Sequence, residues 1–184
     1  MPTNNDHKIL GVDIDNVISL TDPALRKLIW NLFSIWLEQE QICHYDYSKC
    51  GLTKEQELRV LEDFREVTCE ELDVVPGAIE ALTALNRRYC IILVTSRHPQ
   101  LIEKTRDWLR LKNIPHDLLI FEKDKHQTEH NFDFFIEDNA DFAIALAETG
   151  VRTFLFDYPW NRNIPTPPNV IRVSGWGEVL QYVM

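Results

Sequence analysis

The sequence predicts an α/β fold: a parallel sheet covered by helices on both faces, with a small α-helical insertion near its start. Three observations carry this. Short, almost unbroken apolar runs, such as Tyr89 to Thr95, alternate with segments of helical period, and unbroken runs mark strands buried on both faces. Two helical segments follow the first strand with no strand between them. Carboxylates stand at the ends of two strands, the edge at which open α/β sheets bind ligands.

Met1 to His7 reads as a frayed polar tail and Lys8 to Asp13 as the first strand. Asp22 to Glu40 carries apolar residues at helical spacing, with Thr21-Asp22-Pro23 as the start signal. Gln41 to Gly51 is a connection rich in Tyr, His and Cys. Thr53 to Val67 is a second helix, opened by a Thr53/Gln56 capping box. Pro76-Gly77 then restarts the alternation. A helix at Ala78 to Arg88 leads to a strand at Tyr89 to Thr95, and a helix at Pro99 to Lys112 to a strand at His116 to Phe121. After the polar stretch Glu122 to Asn131 come a strand at Phe132 to Ile136 and a helix at Ala140 to Glu148, ended by Gly150. A strand at Val151 to Phe156, a Pro- and Asn-rich loop at Asp157 to Asn169, a strand at Val170 to Val173 and a terminal helix complete the chain.

A length of 184 residues fits one domain with an insertion, and 45% hydrophobic with 26% charged residues is ordinary for a globular protein. The net charge of −10 excludes a basic footprint for duplex nucleic acid, but leaves room for a small anionic substrate where a cation reverses the local field. No apolar run is long enough to span a bilayer and the first residues do not resemble a signal peptide, so a cytoplasmic protein without a membrane partner is expected. Cys43, Cys50, Cys69 and Cys90 form no CxxC pair and read as reduced thiols; zinc on Cys43, His44 and Cys50 would fit no usual ligand spacing.

Asp13 and Asp15, spaced i, i+2 at the end of the first strand, would both project into the crevice at its carboxyl edge. Together they can share a divalent cation, or one can attack while the other transfers a proton. Thr95-Ser96-Arg97, after the second long strand, offers hydroxyls and backbone amides suited to phosphate oxygens. Glu137-Asp138-Asn139 brings a second acidic pair to the same edge. Capping of the next helix explains one of these residues but not both pairs, and four carboxylates there repel unless a cation sits among them. Lys123 or Lys125 could supply the positive charge that steadies a phosphoryl group. On the first inserted helix, Leu25, Leu28, Ile29, Leu32, Ile35 and Trp36 form a stripe, with Trp30, Phe33 and Leu37 as a shoulder. That arc is wider than packing on one core requires; a base stacked on Trp30 or Phe33, a homodimer contact or a thicker core would each account for it.

In their order these features resemble the haloacid dehalogenase-like (HAD) superfamily of phosphohydrolases, and most closely its 5'(3')-deoxyribonucleotidases. Asp13-Ile14-Asp15-Asn16-Val17 matches the first motif, Thr95 the second, Lys125 (beside Asp124) the third and Glu137-Asp138 the fourth. Two departures stand out: Asn16 where the nucleotidases usually carry Gly, and Glu137 where they often carry Asp. The resemblance implies a Rossmann-like HAD core of residues 1–17 and 75–184 with a helical cap of 18–74, hinged near Ile18-Ser19 and Val75-Pro76-Gly77. It also implies Mg²⁺-dependent hydrolysis of a small phosphomonoester, such as a nucleoside monophosphate, through an aspartyl-phosphate on Asp13. Asp15 would be the proton carrier, with a pKa raised toward neutrality by neighbouring anions. Asp13, the backbone carbonyl of Asp15 and Asp138 would hold the metal, with Glu137 behind them, and Thr95, Ser96 and Lys125 would cradle the phosphate. Arg97 would touch the substrate or form a surface salt bridge. A sugar phosphatase of the same mechanism, or a binding protein on this scaffold, are the competing readings; the joint presence of Asp13, Asp15, Lys125 and Asp138 weighs against the second.

Overall fold

The computed structural model describes residues 8–65 and 71–184; the tail Met1 to His7, Cys69 and the predicted helix end at Val67 lie outside the described residues. The strands are β1 (Lys8–Val12), β2 (Tyr89–Thr95), β3 (Leu118–Phe121), β4 (Phe134–Glu137), β5 (Arg152–Phe156) and β6 (Val170–Val173). They form one sheet in the order β3-β2-β1-β4-β5-β6, with every pair parallel. The helices are α1 (Thr21–Phe33), α2 (Lys54–Asp63), α3 (Ala78–Leu85), α4 (Ile102–Leu111), α5 (Ala140–Glu148) and α6 (Trp176–Val183). The expected α/β class and Rossmann-like order are therefore present. From β1 the chain builds outward through β2 and β3, then crosses back to build β4, β5 and β6 on the other side. The carboxyl ends of β1 and β4 meet where that direction reverses, which is where such sheets open a crevice.

The centre of the sheet is packed closely enough to dictate residue size. Leu10 and Val12 in β1, Ile91 and Leu93 in β2, and Phe135 and Ile136 in β4 are buried. Gly11 is the register partner of Phe135, and a Cβ at Gly11 would lie 2.2 Å from the Phe135 ring. The aromatic ring fills the space a larger β1 residue would need.

Several boundaries differ from the reading of the sequence. The first helix was expected to reach Glu40; α1 ends at Phe33, because Ser34 adopts a left-handed φ of 55° and its N–H caps the Trp30 carbonyl at 2.8 Å. Ile35 and Trp36 therefore leave the predicted stripe, and the wide apolar arc shrinks. Pro99–Leu101 forms a 3₁₀ turn ahead of α4. Glu137 is the last residue of β4, not the first beyond it. The Thr53/Gln56 capping box is present, with bonds of 2.8 and 3.2 Å.

The inserted segment leaves and rejoins the sheet at adjacent points. The Val75 amide donates to the Ile18 carbonyl and the Leu20 amide to the Asp73 carbonyl, each at 2.8 Å, around an antiparallel Ser19–Val74 bridge.

Gly11→Ala should destabilise the fold by about 1–3 kcal/mol through overpacking. Adding Phe135→Leu should recover part of that loss, because the two sites are in contact. Urea unfolding of the single and double variants checks this; strictly additive losses would contradict it.

Candidate active site

Asp13 extends β1 by one further ladder bond, donating its amide to the Ile136 carbonyl at 2.9 Å, and its carboxylate is buried. Lys125 stands in a 3₁₀ turn (Lys125–Gln127) and is 1% exposed. Its Nζ lies 2.5 Å from Asp13 Oδ1 and 2.8 Å from Glu137 Oε2, and 5.1 Å from the centre of the Phe142 ring. Lys123 is exposed, so the structure brings Lys125 and not Lys123 to the carboxylates. The other oxygen of Glu137 accepts the amides of Asn139 at 3.0 Å and Asp138 at 3.3 Å.

Asp13, Glu137 and Asp138 each place an oxygen within 4.8 Å of the others, and all three are buried. Three carboxylates against one ammonium leave two negative charges in a pocket of oxygen ligands, a set that suits a hard divalent cation. The strain shows in their titration. Burial pushes Asp13 up to about 7, with Glu137 and Asp15 adding to the rise and Lys125 opposing it. Burial likewise raises Asp138 well above the ordinary carboxylate range, helped by Asp13 and Glu137. Burial alone would lower Lys125, but its two carboxylate partners hold it above the usual lysine value.

Asp15 does not join this group. Its carboxylate receives Arg97 Nε at 2.9 Å and Nη2 at 2.7 Å, Thr21 Oγ1 at 2.5 Å and Ser19 Oγ at 3.3 Å. Burial favours a raised pKa here too, yet Arg97 outweighs it and holds Asp15 below the usual carboxylate value. This corrects the expectation of a pKa near neutrality: the cation facing Asp15 dominates the anions behind it. Arg97 is also not at the surface. It is buried, lies 5.8 Å from the Trp108 ring centre, and donates to Thr105 Oγ1 at 3.2 Å and Ser19 Oγ at 3.3 Å.

Thr95 is buried and its hydroxyl accepts the Arg97 amide at 3.2 Å, which leaves its own proton free to donate elsewhere; Ser96 is exposed. Trp30 and Phe33 are not brought to the carboxylates. The start of α1 touches the site through the Asp22 amide, and Trp30 lies eight residues further along, about 12 Å of helical rise. Trp30 is exposed and meets Trp36 edge-on at 6.0 Å, while Phe33 lines a groove with Lys54, Leu58 and Glu62 of α2. Cys43 and Cys50 approach to 3.8 Å, but His44 is turned to the Asp46 amide and to Lys49 and does not complete a metal site with them.

A further set of residues grips Asp138: Trp160, in the loop that the sequence offers as a rim element after a strand end, and Tyr45 and Asn161, which the reading of the sequence missed. The Asp138 backbone carbonyl accepts Tyr45 Oη at 2.6 Å, Asn161 Nδ2 at 2.7 Å and Trp160 Nε1 at 3.3 Å, while Asn16 Nδ2 donates to its carboxylate at 3.1 Å. Tyr158 stacks on Trp160 at 4.4 Å and donates to the Asn16 carbonyl at 2.9 Å. The position of the Asp157 to Asn169 loop, directly after β5 at the same edge, is the signal by which the sequence offers Tyr158 and Trp160 as a rim. Tyr45 gave none, since it arrives from the α1–α2 connection.

Known proteins resemble this chain over nearly its whole length. The family model described as "5' nucleotidase, deoxy (Pyrimidine), cytosolic type C protein" matches residues 7–184. A protein of Halalkalibacterium halodurans, described provisionally as a nucleotidase, is 33% identical over 188 residues, covering 98% of this chain and 95% of its own. Among solved structures, a haloacid dehalogenase-like family hydrolase from Streptococcus pneumoniae superposes with a TM-score of 0.66 at 14% identity, covering 96% of this chain and 98% of its own. A Bacillus subtilis protein described provisionally as a HAD hydrolase, and as bound to magnesium, gives a TM-score of 0.61 at 13% identity, with coverage of 96% and 98%. No helix among the described residues is long and apolar enough to cross a membrane.

The raised carboxylates set a sign for pH dependence. Between the ordinary value of 3.8 and about 7 the folded chain holds a proton on Asp13 that the unfolded chain has released, and burial shifts Asp138 in the same direction. The stability they contribute is therefore present at the acid end and lost as pH rises through about 7. With a chelator present, Tm should fall across this window, and Asp138→Asn should flatten the fall. Equal slopes for the two proteins in thermal melts would contradict the assignment.

Proposed function

This chain belongs to the cytosolic type C 5' nucleotidase family and is a phosphomonoester hydrolase; on that premise we propose a Mg²⁺-dependent nucleotidase that works through an aspartyl-phosphate. The observation that carries the reading is the Asp13 carboxylate. It is buried at the β1–β4 crevice, hydrogen-bonded to Lys125, and part of the cluster with Glu137 and Asp138. Asp13 and Asp138 would hold the cation, together with the Asp15 carbonyl. Glu137 stands behind them, since both its oxygens already serve Lys125 and backbone amides. Bound there, Mg²⁺ would neutralise the charge that keeps a carboxylate from a phosphate dianion.

In the first step an Asp13 oxygen bonds to phosphorus as the bond to the leaving oxygen breaks, with its electron pair going to that oxygen. The leaving oxygen takes up a proton. In the second step water attacks phosphorus, loses a proton and releases inorganic phosphate, restoring the carboxylate. Asp15 is the proton carrier in both steps. As an acceptor of several hydrogen bonds it is a base in this conformation, so it must release Arg97 and take up a proton from water before it can donate to the leaving oxygen; the proton it takes from the attacking water in the second step restores it. Lys125 steadies the transferring phosphoryl group, assisted by the Thr95 and Ser96 hydroxyls. The helices between residues 18 and 74 act as a cap over the crevice, with hinges at the Ser19–Val74 bridge. The substrates are (deoxy)ribonucleoside monophosphates, bearing a 5' or 3' phosphate.

Asp13→Asn should lower turnover of p-nitrophenyl phosphate by several orders of magnitude while the protein stays folded. Lys125→Ala should cost about 10²–10³ in kcat, and Lys123→Ala almost nothing. More than a tenth of wild-type turnover in Asp13→Asn would remove it as nucleophile. A panel of nucleotides and sugar phosphates tests the substrate class. Nucleoside monophosphates should lead in kcat/KM by about tenfold or more, and a sugar phosphate in that place would overturn the nucleotidase assignment.

A further inference from the structure

Asn16 uses every polar group it has, and each one reaches a different part of the molecule. Its amide donates to the Ser19 carbonyl at 2.8 Å, and its carbonyl accepts Tyr158 Oη at 2.9 Å. Its side-chain oxygen accepts the Asp22 amide at 2.7 Å, and its side-chain nitrogen donates to Asp138 Oδ2 at 3.1 Å. The amide cannot be turned over, because the Asp22 N–H requires an acceptor and the Asp138 carboxylate a donor. The backbone holds a left-handed φ of 59°, a conformation asparagine accepts at modest cost and glycine at none.

These contacts give the side chain two tasks. The N-cap of α1 is Leu20, which offers no capping side chain, so Asn16 supplies the missing acceptor from outside the helix. Among the described residues Asp138 in turn receives one side-chain donor to its carboxylate, and Asn16 provides it. A single amide thus bridges the first turn of α1 and a carboxylate of the acidic cluster. Glycine would keep the turn and lose both bonds.

We infer that Asn16 is a positioning residue that couples the seating of α1 to the orientation of the Asp138 carboxylate, so that cation binding and helix seating reinforce each other. The inference rests on the reading of Asp13, Glu137 and Asp138 as a divalent-cation site. By linkage, a cation that fixes Asp138 must also protect the start of α1, and loosening α1 must weaken the cation. Partners that orient a ligating carboxylate are worth about 10–100-fold in metal affinity.

The test is Mg²⁺ titration of the whole chain by calorimetry, with amide hydrogen exchange across Thr21 to Leu25 measured with and without Mg²⁺. The wild-type protein should bind Mg²⁺ and show slower exchange at the start of α1 when it does. Asn16→Gly, which suits the left-handed turn, should bind Mg²⁺ about tenfold or more weakly and lose that Mg²⁺-induced protection. Should Asn16→Gly not fold, Asn16→Asp serves: it is isosteric and still accepts from Asp22, but faces Asp138 with no donor, so Mg²⁺-induced protection should again vanish. Wild-type affinity and undiminished protection in either variant would overturn the coupling alone. Absence of Mg²⁺ binding by the wild-type protein would overturn the cation reading and the coupling with it.

Discussion

The ammonium of Lys125, buried between Asp13 and Glu137, is the interaction on which the crevice depends. Parallel strands bring their carboxyl ends together, and this chain places acidic residues at two of those ends. Without a cation the cluster would raise its own cost until the carboxylates took up protons. Lys125 carries that burden from a single turn of 3₁₀ helix, and its own burial makes it intolerant of a missing partner. Breaking one side of such a pair typically costs about 3–5 kcal/mol, since a charge is left buried and unmatched. Asp15 is satisfied by separate means: Arg97, Thr21 and Ser19 draw its carboxylate away from Asp13, so two neighbouring residues of one motif occupy different electrostatic surroundings.

Most of the fold was legible because its signals are local. An almost unbroken apolar run marked β2 to the residue, the short stretch Val170 to Val173 after the Pro- and Asn-rich loop marked β6, and helical period with a following glycine marked α5. Alternation of strand and helix pointed to a parallel sheet covered on both faces, while the order of its strands came from the structure. The cluster of Asp13, Lys125, Glu137 and Asp138 was equally legible, since all of these residues lie at or near strand ends whose convergence the fold guarantees.

What stayed hidden depends on side chains meeting across long stretches of sequence. The early end of α1 turned on one left-handed serine, which no apolar period announces. Arg97 was visible as a residue but not as the partner of Asp15, because the pairing requires Trp108 and Thr105 of α4 to hold the guanidinium inside. Tyr45 reaches the Asp138 carbonyl from a bend between two 3₁₀ turns of the α1–α2 connection, and spacing says nothing about such a contact. Trp30 and Phe33 show the converse: an aromatic face that looked suited to a base lies well along α1, away from the end that touches the carboxylates.

The paired crossings at Ile18–Leu20 and Asp73–Val75 have a consequence for how this protein can change over generations. To the sheet, everything between them is an excursion that departs and returns through neighbouring positions. The entropy of closing such an excursion grows only slowly with its length, so lengthening or trimming it costs the fold little so long as Thr21 and Tyr45 keep their bonds to Asp15 and Asp138. A scaffold with this gate can accept grafts. The acidic cluster stays with the strands, while what is spliced between Leu20 and Asp73 can drift, provided Thr21, the Asp22 amide and Tyr45 still reach the loop and strand beneath.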